Sequence, residues 1–272
     1  MKGLEFAIIP GGCEHNDAAW NFAGYGFATQ DKKTRDEAWM TFPLPCYVIH
    51  HPTAGYIMFD VGCGLREEID RRPAEHRNIN PVTINREDYV DESLKRMGLS
   101  VDEVSAIILS HCHWDHVGGL EFFHGTKAIQ NIYVSEQEFA RALVHSHKTS
   151  KGYIDSLYYR WNMDVPDAEY HFVEEEGELF PGVEVLMMEG HSPCMLVLLL
   201  HCEEKNYIIP SDAVTAACCL DGRYEPGTIY DSLGYHRTVE RLKKLQKKYQ
   251  AEIIFQHDPE SFSHYRTMEW LK

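Results

Sequence analysis

The chain has 272 residues, of which 44% are hydrophobic and 25% charged, with a formal net charge of -16. This length allows one large domain with a buried core, and the composition excludes disordered and fibrous classes. The acidic balance lacks the basic surface of a nucleic-acid-binding protein, so we expect no nucleic-acid partner. The longest apolar run, CMLVLLLHC, is too short to span a bilayer, so no membrane partner is expected either.

The first half of the chain alternates strand-like runs with helical patterns. LEFAIIP predicts a first strand, and CYVIHHPTAGYIMFDVG predicts two strands around a turn at Pro52–Gly55. Residues 86–97 carry an amphipathic helical pattern that a glycine ends. VSAIILS is typical of a buried strand and leads to His111. NIYVSEQEFARALV predicts a strand and then a helix, with Ser135 and Glu138 as a capping box.

The second half begins with residues 146–172, which are rich in aromatic side chains and predict an insertion. Three strand-like runs follow, VEVLMMEG, MLVLLLHC and NYIIPSD. DSLGYHRTVERLKKLQKKYQ predicts a helix that begins at Asp231 or Ser232, and AEIIFQHD predicts a last strand that ends at His257. Strand clusters with helices in both halves predict one layered α/β domain over residues 1–272, with helices outside two sheets.

The eight cysteines bear on the cellular compartment. They show no spacing typical of a disulfide framework in a chain of this length, which indicates reduced thiols and a cytoplasmic location. The N-terminal stretch MKGLEFAIIPGG agrees with this location, because its apolar run is too short for a signal peptide and no cleavage site follows it.

The segment HCHWDH follows a predicted buried strand directly. His111 and His113 are two residues apart, so an extended turn can point both imidazoles at one ion, and Asp115 and His116 can face a second ion nearby. Imidazole and carboxylate ligands together suit zinc, iron, manganese or nickel. The alternative is a surface cluster in a chain with 16 histidines, which fits the position after a buried strand less well.

Three further polar residues occupy the same kind of position. His191, Asp212 and His257 each lie just past the C-terminal end of a strand-like run, as His111 does. Loops at strand ends are held by a rigid scaffold, and functional sites are usually built there. We therefore expect these residues to contribute to one site.

The pattern His-x-His-x-Asp-His after a buried strand resembles the signature of the metallo-β-lactamase superfamily. The other family positions are matched in the family's order, and the resemblance covers nearly the whole chain. It implies an αββα sandwich of two mixed sheets with helices on the outer faces. The matching residues are His191 in MMEGHSP, Asp212 in YIIPSDA, His257 in IIFQHDP and Asp60 in MFDVG.

The resemblance also implies a role for each of these residues in a site with two divalent metals, zinc first and iron or manganese as alternatives. Asp60 would orient a ligand histidine, and Asp115 or Asp212 would carry a proton during the reaction. The implied ligands are His111, His113 and His191 for one ion, Asp115, His116 and His257 for the other, and Asp212 as the bridge.

Within the superfamily the chain is most similar to the lactonase branch, which includes the N-acyl homoserine lactonases and 4-pyridoxolactonase. The similar stretches are GHSP, HDPESF and YDSLGYHRTVERLKKL. This similarity implies opening of a lactone ring by a hydroxide that bridges the two metals. The implied substrate is an N-acyl homoserine lactone or a small aromatic lactone, and the implied biological role is quorum quenching.

Two positions depart from the homoserine lactonases. Those enzymes have a tyrosine three residues after the bridging aspartate, where this chain has Thr215. The usual Gly-His soon after the third histidine ligand is replaced by Cys194 and Met195. These departures bear on the substrate rather than on the metals. The candidates to replace the tyrosine are Tyr230, Tyr235 and His236.

The substrate pocket is expected between residues 21–45 and the aromatic insertion. Aromatic side chains of these segments could form apolar walls for a neutral ester or lactone. The alternative is that they pack the loops or a dimer contact, and the sequence leaves open whether the chain is a homodimer. The candidates are Trp20, Phe22, Tyr25 and Phe27 in the first segment, Tyr158, Tyr159 and Trp161 in the second, and Thr215 and His236 elsewhere.

Other activities remain as alternatives. A thioesterase of the glyoxalase II kind or a phosphodiesterase would use the same two metals, and the acidic charge disfavours a nucleic-acid phosphodiesterase. An iron-dependent persulfide dioxygenase uses one metal, so the complete second ligand set argues against it. The sequence has no flavodoxin-like domain, which argues against a flavodiiron-like protein. The retention of every ligand disfavours a non-catalytic descendant.

Overall fold

The structure is a computed structural model that describes residues 1–35, 38–148 and 157–272. Most of the strand-like runs in the sequence are strands, and they form three sheets. The strands are β1 (Glu5–Ile9), β2 (Cys13–Asp17), β3 (Trp39–Pro43), β4 (Cys46–His51), β5 (Gly55–Phe59), β6 (Val82–Thr83), β7 (Val104–Ile108), β8 (Ile132–Ser135), β9 (Tyr170–Val173), β10 (Gly177–Phe180), β11 (Val183–Met188), β12 (Met195–His201), β13 (Asn206–Ile209), β14 (Glu252–Ile253) and β15 (Trp270–Leu271). The α-helices are α1 (Arg66–Arg71), α2 (Ala74–Ile79), α3 (Val90–Arg96), α4 (Trp114–Val117), α5 (Glu136–Ser146), α6 (Arg160–Met163), α7 (Ala217–Leu220), α8 (Ser232–Tyr249) and α9 (Pro259–Ser263).

Two mixed sheets form the centre of the fold. The seven-stranded sheet has the order β15-β1-β4-β5-β7-β8-β9, antiparallel up to β5 and parallel beyond it. The five-stranded sheet has the order β10-β11-β12-β13-β14, and its last pair is parallel. These sheets confirm the predicted fold class. A third sheet of three strands, β3-β2-β6, was not predicted from the sequence.

Side chains that alternate along the strands supply three apolar layers. Ile8 of β1 packs between the two sheets, in one cluster with Leu198 of β12. Its neighbour Ile9 faces outward and packs in a cluster with Leu94 of α3. On the other outer face, Leu242 of α8 packs against the five-stranded sheet. Because the central strands are buried on both faces, they are apolar runs rather than alternating patterns.

Two element boundaries differ from the prediction. The predicted last strand ends at Ile253 instead of His257, and three residues later Gln256 donates its side-chain amide to the Pro45 carbonyl at 2.9 Å. A further strand, β15, follows it and pairs with β1. The helical pattern over residues 86–97 is divided into a 3-10 turn at Arg86–Asp88 and α3.

The predicted aromatic insertion lies partly outside the described residues, at 149–156. The later part of this segment contains α6, and its last residues form β9 at the edge of the seven-stranded sheet. The described residues include all eight cysteines, each as a free thiol. In the same residues, no helix has both the length and the apolar character that crossing a bilayer requires.

Gly119, three residues after His116, marks a close approach between two loops. A Cβ atom at this position would lie 2.1 Å from the Val61 carbonyl oxygen. We therefore expect Gly119→Ala to lower the free energy of unfolding by about 3 kcal/mol or more, as measured by urea denaturation. Gly98→Ala is the control, because its φ is +80° but nothing lies within 4 Å of the added atom. It should lower stability by only about 1 kcal/mol, and equal losses would contradict a steric role for Gly119.

Candidate metal centre

The predicted ligands come together from loops at the carboxyl ends of strands in both central sheets. β7 of the seven-stranded sheet leads to His111, and β11, β13 and β14 of the five-stranded sheet lead to His191, Asp212 and His257. The backbone is extended at His113 and becomes helical in α4. This change of conformation directs the residues of one short motif into two neighbouring groups.

The first group contains three imidazoles and one carboxylate. One atom from each of its members lies within 4.8 Å of the others, and all four residues are buried. His113 Nδ1 is 2.9 Å from His111 Nε2 and 3.0 Å from His191 Nε2. Three imidazole nitrogens at these distances are stable together only if they share a proton or bind a common cation. The group consists of His111, His113, His191 and Asp212.

The second group contains two imidazoles and a carboxylate. Its members are Asp115, His116 and His257, with one atom of each again within 4.8 Å of the others. Asp115 Oδ2 is 3.4 Å from His116 Nε2 and 3.8 Å from His257 Nε2. Both carboxylate and imidazole atoms therefore face a common point in this group as well.

Asp212 lies between the two groups and presents one carboxylate oxygen to each. Its Oδ2 is 3.3 Å from His191 Nε2 and 3.9 Å from His111 Nε2. Its Oδ1 is 2.9 Å from His257 Nε2 and 3.7 Å from His116 Nε2. A carboxylate in this position can bind two cations at once.

Hydrogen bonds on the far side of the rings orient four of these histidines. When Nδ1 donates to a carbonyl or carboxylate, Nε2 is left with a lone pair that faces the centre. Ser110 Oγ donates its proton to Asp60, so it accepts from the adjacent imidazole. The pairs are His111 Nδ1 with Ser110 Oγ (3.0 Å), His116 Nδ1 with Asp60 Oδ2 (2.8 Å), His191 Nδ1 with the Thr228 carbonyl (3.1 Å) and His257 Nδ1 with the Pro43 carbonyl (2.7 Å).

The electrostatics of the site favour positive charge beside its carboxylates. Burial and the neighbouring imidazoles lower the pKa of His111, so this ring is neutral and its lone pair is free to bind a cation. Burial also disfavours charge at His257, but Asp212 outweighs it and raises the pKa of His257 to about 9. The carboxylate of Asp115 likewise raises the pKa of His116 against the effect of burial.

The residues present fit divalent metal ions. Asp212 Oδ1, His116 Nε2 and His257 Nε2 are buried, and within the described parts of the chain none of them makes a hydrogen bond of good geometry, although Asp212 Oδ1 and His257 Nε2 are 2.9 Å apart. Buried polar atoms are nearly always satisfied, and a cation bound between these converging atoms would satisfy them. Nitrogen and oxygen donors in these numbers are typical of zinc and related divalent metals.

Glu138 supports this site in a way that the sequence analysis missed. Ser135 caps α5 as predicted, but the Glu138 carboxylate turns inward and does not close a capping box. Its Oε1 accepts a hydrogen bond at 3.0 Å from the backbone N–H of Cys112, which lies between His111 and His113. The Ser-x-x-Glu pattern did not predict this contact, because a glutamate at this position can either complete a capping box or accept a hydrogen bond from another loop.

The cavity at the centre is lined by candidate ligands and by one of the predicted pocket aromatics, Trp20. Trp20 and Thr228 also line an adjoining cavity of about 610 Å³, together with Trp39 and Ile79. Tyr158, another candidate, is buried and packs on His113 with 4.6 Å between ring centroids. The cavity wall also contains two polar residues that the sequence did not single out, Glu14 and Asn80.

The remaining pocket candidates lie elsewhere in the described chain. Phe22 packs in the core beside α8, and Tyr25 packs against that cluster, whereas Phe27 is 76% exposed. Tyr159 stacks on Trp161, which lines a separate surface cavity. These placements depend on long-range packing, so the local sequence did not reveal them.

The positions that depart from the homoserine lactonases are also placed. Thr215 is buried, and its hydroxyl is 3.9 Å from Cys219 Sγ rather than in the lining of the central cavity. Cys194 and Met195 are buried where β12 begins. Of the proposed replacements for the family tyrosine, Tyr235 is buried in the core. The other two are largely exposed, with Tyr230 against Arg141 and His236 paired with Glu225.

Comparisons with known proteins agree with this architecture. A family model described as the metallo-beta-lactamase superfamily matches residues 41–257. The N-acyl homoserine lactonase AiiB of Agrobacterium fabrum is 30% identical over 263 residues, 91% of each chain. A crystal structure of a quorum-quenching N-acyl homoserine lactone lactonase matches with a TM-score of 0.78 at 26% identity, over 100% of this chain and 99% of that one.

A second solved structure shares the fold over 100% of both chains, with a TM-score of 0.82 and 24% identity. It is an N-acyl homoserine lactone hydrolase with the product N-hexanoyl-L-homoserine bound at its catalytic metal centre. The two sheets, the ligand positions at their strand ends and these matches lead to one conclusion. The chain belongs to the metallo-beta-lactamase superfamily, in the branch that includes the N-acyl homoserine lactonases.

Proposed function

We propose that the protein is a metal-dependent hydrolase that opens the ring of a lactone. The observation that carries this proposal is the Asp212 carboxylate, which faces one group of imidazoles with each oxygen. The similarity to a relative named as an N-acyl homoserine lactonase supports the substrate class, an N-acyl homoserine lactone or a small aromatic lactone. Quorum quenching is the corresponding biological role.

The proposed cofactor is a pair of divalent ions, zinc in preference to iron or manganese, because imidazole and carboxylate donors suit zinc. When bound, such ions polarise an ester carbonyl and lower the pKa of water so that hydroxide is available at neutral pH. The residues that would hold them are His111, His113 and His191 for one ion, Asp115, His116 and His257 for the other, and Asp212 for both.

The chain's own groups orient the site and move the proton. Asp60 fixes the ring of His116 through the hydrogen bond at Nδ1. Burial opposes ionisation of Asp115, but His116 outweighs it and holds the pKa of Asp115 low, so this carboxylate is ionised at neutral pH. Asp115 or Asp212 can therefore accept a proton from the attacking water and pass it to the leaving alkoxide.

The screen that tests this function uses purified, metal-loaded protein against lactones, thioesters and phosphodiesters. Lactone ring opening, measured by the release of protons, should be faster than hydrolysis of thioesters or phosphodiesters. Metal analysis should find two zinc ions per chain. A thioesterase or phosphodiesterase would be recognised by the reverse preference. One iron per chain with oxygen uptake would contradict a lactonase and indicate a dioxygenase.

The adjoining cavity of about 610 Å³ suits the apolar chain of a lactone substrate, because Trp20 connects it to the centre. We expect Trp20→Ala to lower kcat/KM about tenfold more for N-decanoyl than for N-butanoyl homoserine lactone, since each buried methylene contributes about 0.8 kcal/mol. Trp161→Ala is the matched control, because Trp161 lines a different cavity. An unchanged chain-length preference in Trp20→Ala would place the acyl chain elsewhere.

The same chain is proposed to be a single domain in the cytoplasm. β1 and β15, from opposite ends of the chain, are paired in one sheet, which supports one domain over residues 1–272. The eight free thiols support a reducing compartment. β15 is the edge strand of the seven-stranded sheet next to β1, so residues near both ends of the chain belong to the same sheet.

A further inference from the structure

Glu14 is a buried carboxylate in the wall of the central cavity, outside the predicted ligand set. It lies on β2 of the three-stranded sheet, is 6% exposed and lines the same cavity as His257. Its Oε1 accepts hydrogen bonds from Asn16 Nδ2 at 3.0 Å and from Asn21 Nδ2 at 3.4 Å. Its Oε2 accepts from Asn80 Nδ2 at 2.8 Å. We call these four residues the Glu14 cluster.

Neutral amides, not cations, satisfy the Glu14 carboxylate. Removing an ionised carboxylate from water is unfavourable unless it is paired and hydrogen-bonded, and amides do not neutralise its charge. Burial raises the pKa of Glu14, and the nearby Asp115 raises it further, whereas His257 and the hydrogen bonds from Asn80 and Asn21 lower it. A buried acid that lines a cavity and receives its hydrogen bonds from neutral amides is a candidate for a functional group.

The side chain of Asn80 shows which atoms of the cluster remain available for a hydrogen bond to a ligand. A carboxylate can only accept, so the Asn80 Nδ2 must point to Glu14 and its Oδ1 must point away. Asn80 is 1% exposed and lines the cavity, and its Oδ1 has no partner among the residues that the structure describes. The free positions of the cluster are therefore acceptors, and a bound molecule must bring the donor.

The cluster is held rigidly before any substrate arrives. Asn80 follows α2, and its backbone N–H donates to the His76 carbonyl at 2.9 Å. Its own carbonyl accepts from the Arg72 guanidinium at 3.1 Å. Glu14 is fixed by the pairing of β2 with β3 and β6. Rigid polar groups of this kind discriminate well, because a ligand without the matching group leaves them unsatisfied.

We infer that the Glu14 cluster is a specificity site that binds an N–H or O–H donor carried by the lactone next to its reacting ester. The inference rests on the proposed lactonase function and narrows its substrate class. Lactones with an amide or hydroxyl substituent are favoured over lactones whose substituent offers only carbon at that position. The cluster and the candidate metal ligands line one cavity of about 20 Å³, which has room for the donor group but not for the whole lactone, so the rest of the molecule would lie in the adjoining cavity of about 610 Å³.

The test compares N-hexanoyl-L-homoserine lactone with its carba analogue, in which a methylene replaces the amide N–H. A hydroxyphthalide and plain phthalide form the same comparison for aromatic lactones. In the metal-loaded wild type, kcat/KM should favour the donor-bearing member of a pair by about ten- to a hundredfold, as expected for a hydrogen bond to a charged acceptor. Glu14→Gln and Asn80→Ala should each reduce this preference by about tenfold.

Asn131→Ala is the matched control. It also removes an asparagine side chain, but this amide donates to the Lys127 carbonyl at 2.9 Å, and Asn131 belongs neither to the Glu14 cluster nor to the residues that line the cavity. The preference should survive in this variant, and metal content per chain should be unchanged in all three. A preserved preference in Glu14→Gln and Asn80→Ala, with equal losses for both lactones, would overturn the inference and make the cluster structural.

The same measurements distinguish failure of this inference from failure of the proposed function. Loss of metal in parallel with activity in Glu14→Gln would overturn the inference by showing that the cluster serves the metal centre. A wild type that opens both lactones of each pair equally well would overturn this inference alone. A wild type that opens no lactone would overturn the proposed function, and with it the specificity assigned to the cluster.

Discussion

Replacing Asp212 with alanine is expected to lower kcat/KM for lactone ring opening by about a thousandfold or more. Its Oδ1 is 2.9 Å from His257 Nε2, and its Oδ2 is 3.3 Å from His191 Nε2, so one side chain serves both candidate metal positions. Removing it leaves two groups of imidazoles with less negative charge to hold cations. Metal analysis should therefore find less than two ions per chain in this variant.

The control for Asp212→Ala is Asp221→Ala, which removes an exposed aspartate paired with Arg223. This variant should keep the wild-type activity and metal content. Asp212→Asn adds a finer comparison, because it preserves the shape of the side chain but removes its charge. Full activity of Asp212→Ala with two bound ions would show that the proposed site is wrong.

Asp60→Ala is expected to have the second largest effect, on stability and on metal affinity together. Asp60 is fully buried and accepts from His116 Nδ1 at 2.8 Å and from Ser110 through both N–H (2.7 Å) and Oγ (2.8 Å). Alanine leaves these donors unsatisfied and must adopt the left-handed conformation of Asp60, with φ of 56°. We expect a loss of about 3–5 kcal/mol in the free energy of unfolding.

Asp60→Asn separates the two effects. Asparagine tolerates the left-handed conformation and fills the same volume, so most of the stability should remain. It cannot hold the His116 imidazole in the same way, and metal affinity should fall by about 10- to 100-fold. Urea denaturation measures the first quantity, and competition with a chelator measures the second. Wild-type metal affinity in Asp60→Asn would mean that Asp60 does not orient this ligand.

The sequence predicted the central sheets well, because their strands carry a local signal. VSAIILS and MLVLLLHC are apolar on consecutive residues, as strands buried on both faces must be, and they became β7 and β12. The short strand β14 was predicted too long, because the apolar run continues through Ile254 and Phe255 after the strand has ended at Ile253. In the third sheet β2 is polar and β6 has only two residues, so no periodicity revealed these two strands.

The sequence also found the residues that the structure brings together, for a related reason. A histidine or aspartate that follows a buried strand lies at the carboxyl end of a sheet, regardless of how the rest of the chain folds. His111, His191 and Asp212 all have this location. The predicted aromatic pocket residues do not follow buried strands, so the sequence did not indicate where their side chains would lie. Phe22 belongs to the core and Trp161 to another cavity, because the packing of distant segments decides where they point.

Local apolar patterns were sufficient to predict the layered α/β fold, and the resemblance of the His-x-His-x-Asp-His motif to the family implied the candidate ligand set. The partners of buried polar groups depend on contacts between distant segments, so they could be identified only in the folded chain. Glu138 was expected to complete a capping box but instead accepts a hydrogen bond from the Cys112 amide, and Glu14 has no local sequence signature that predicts its hydrogen bond from Asn80. A carboxylate can accept from any donor within reach, and only the folded chain determines which donors those are.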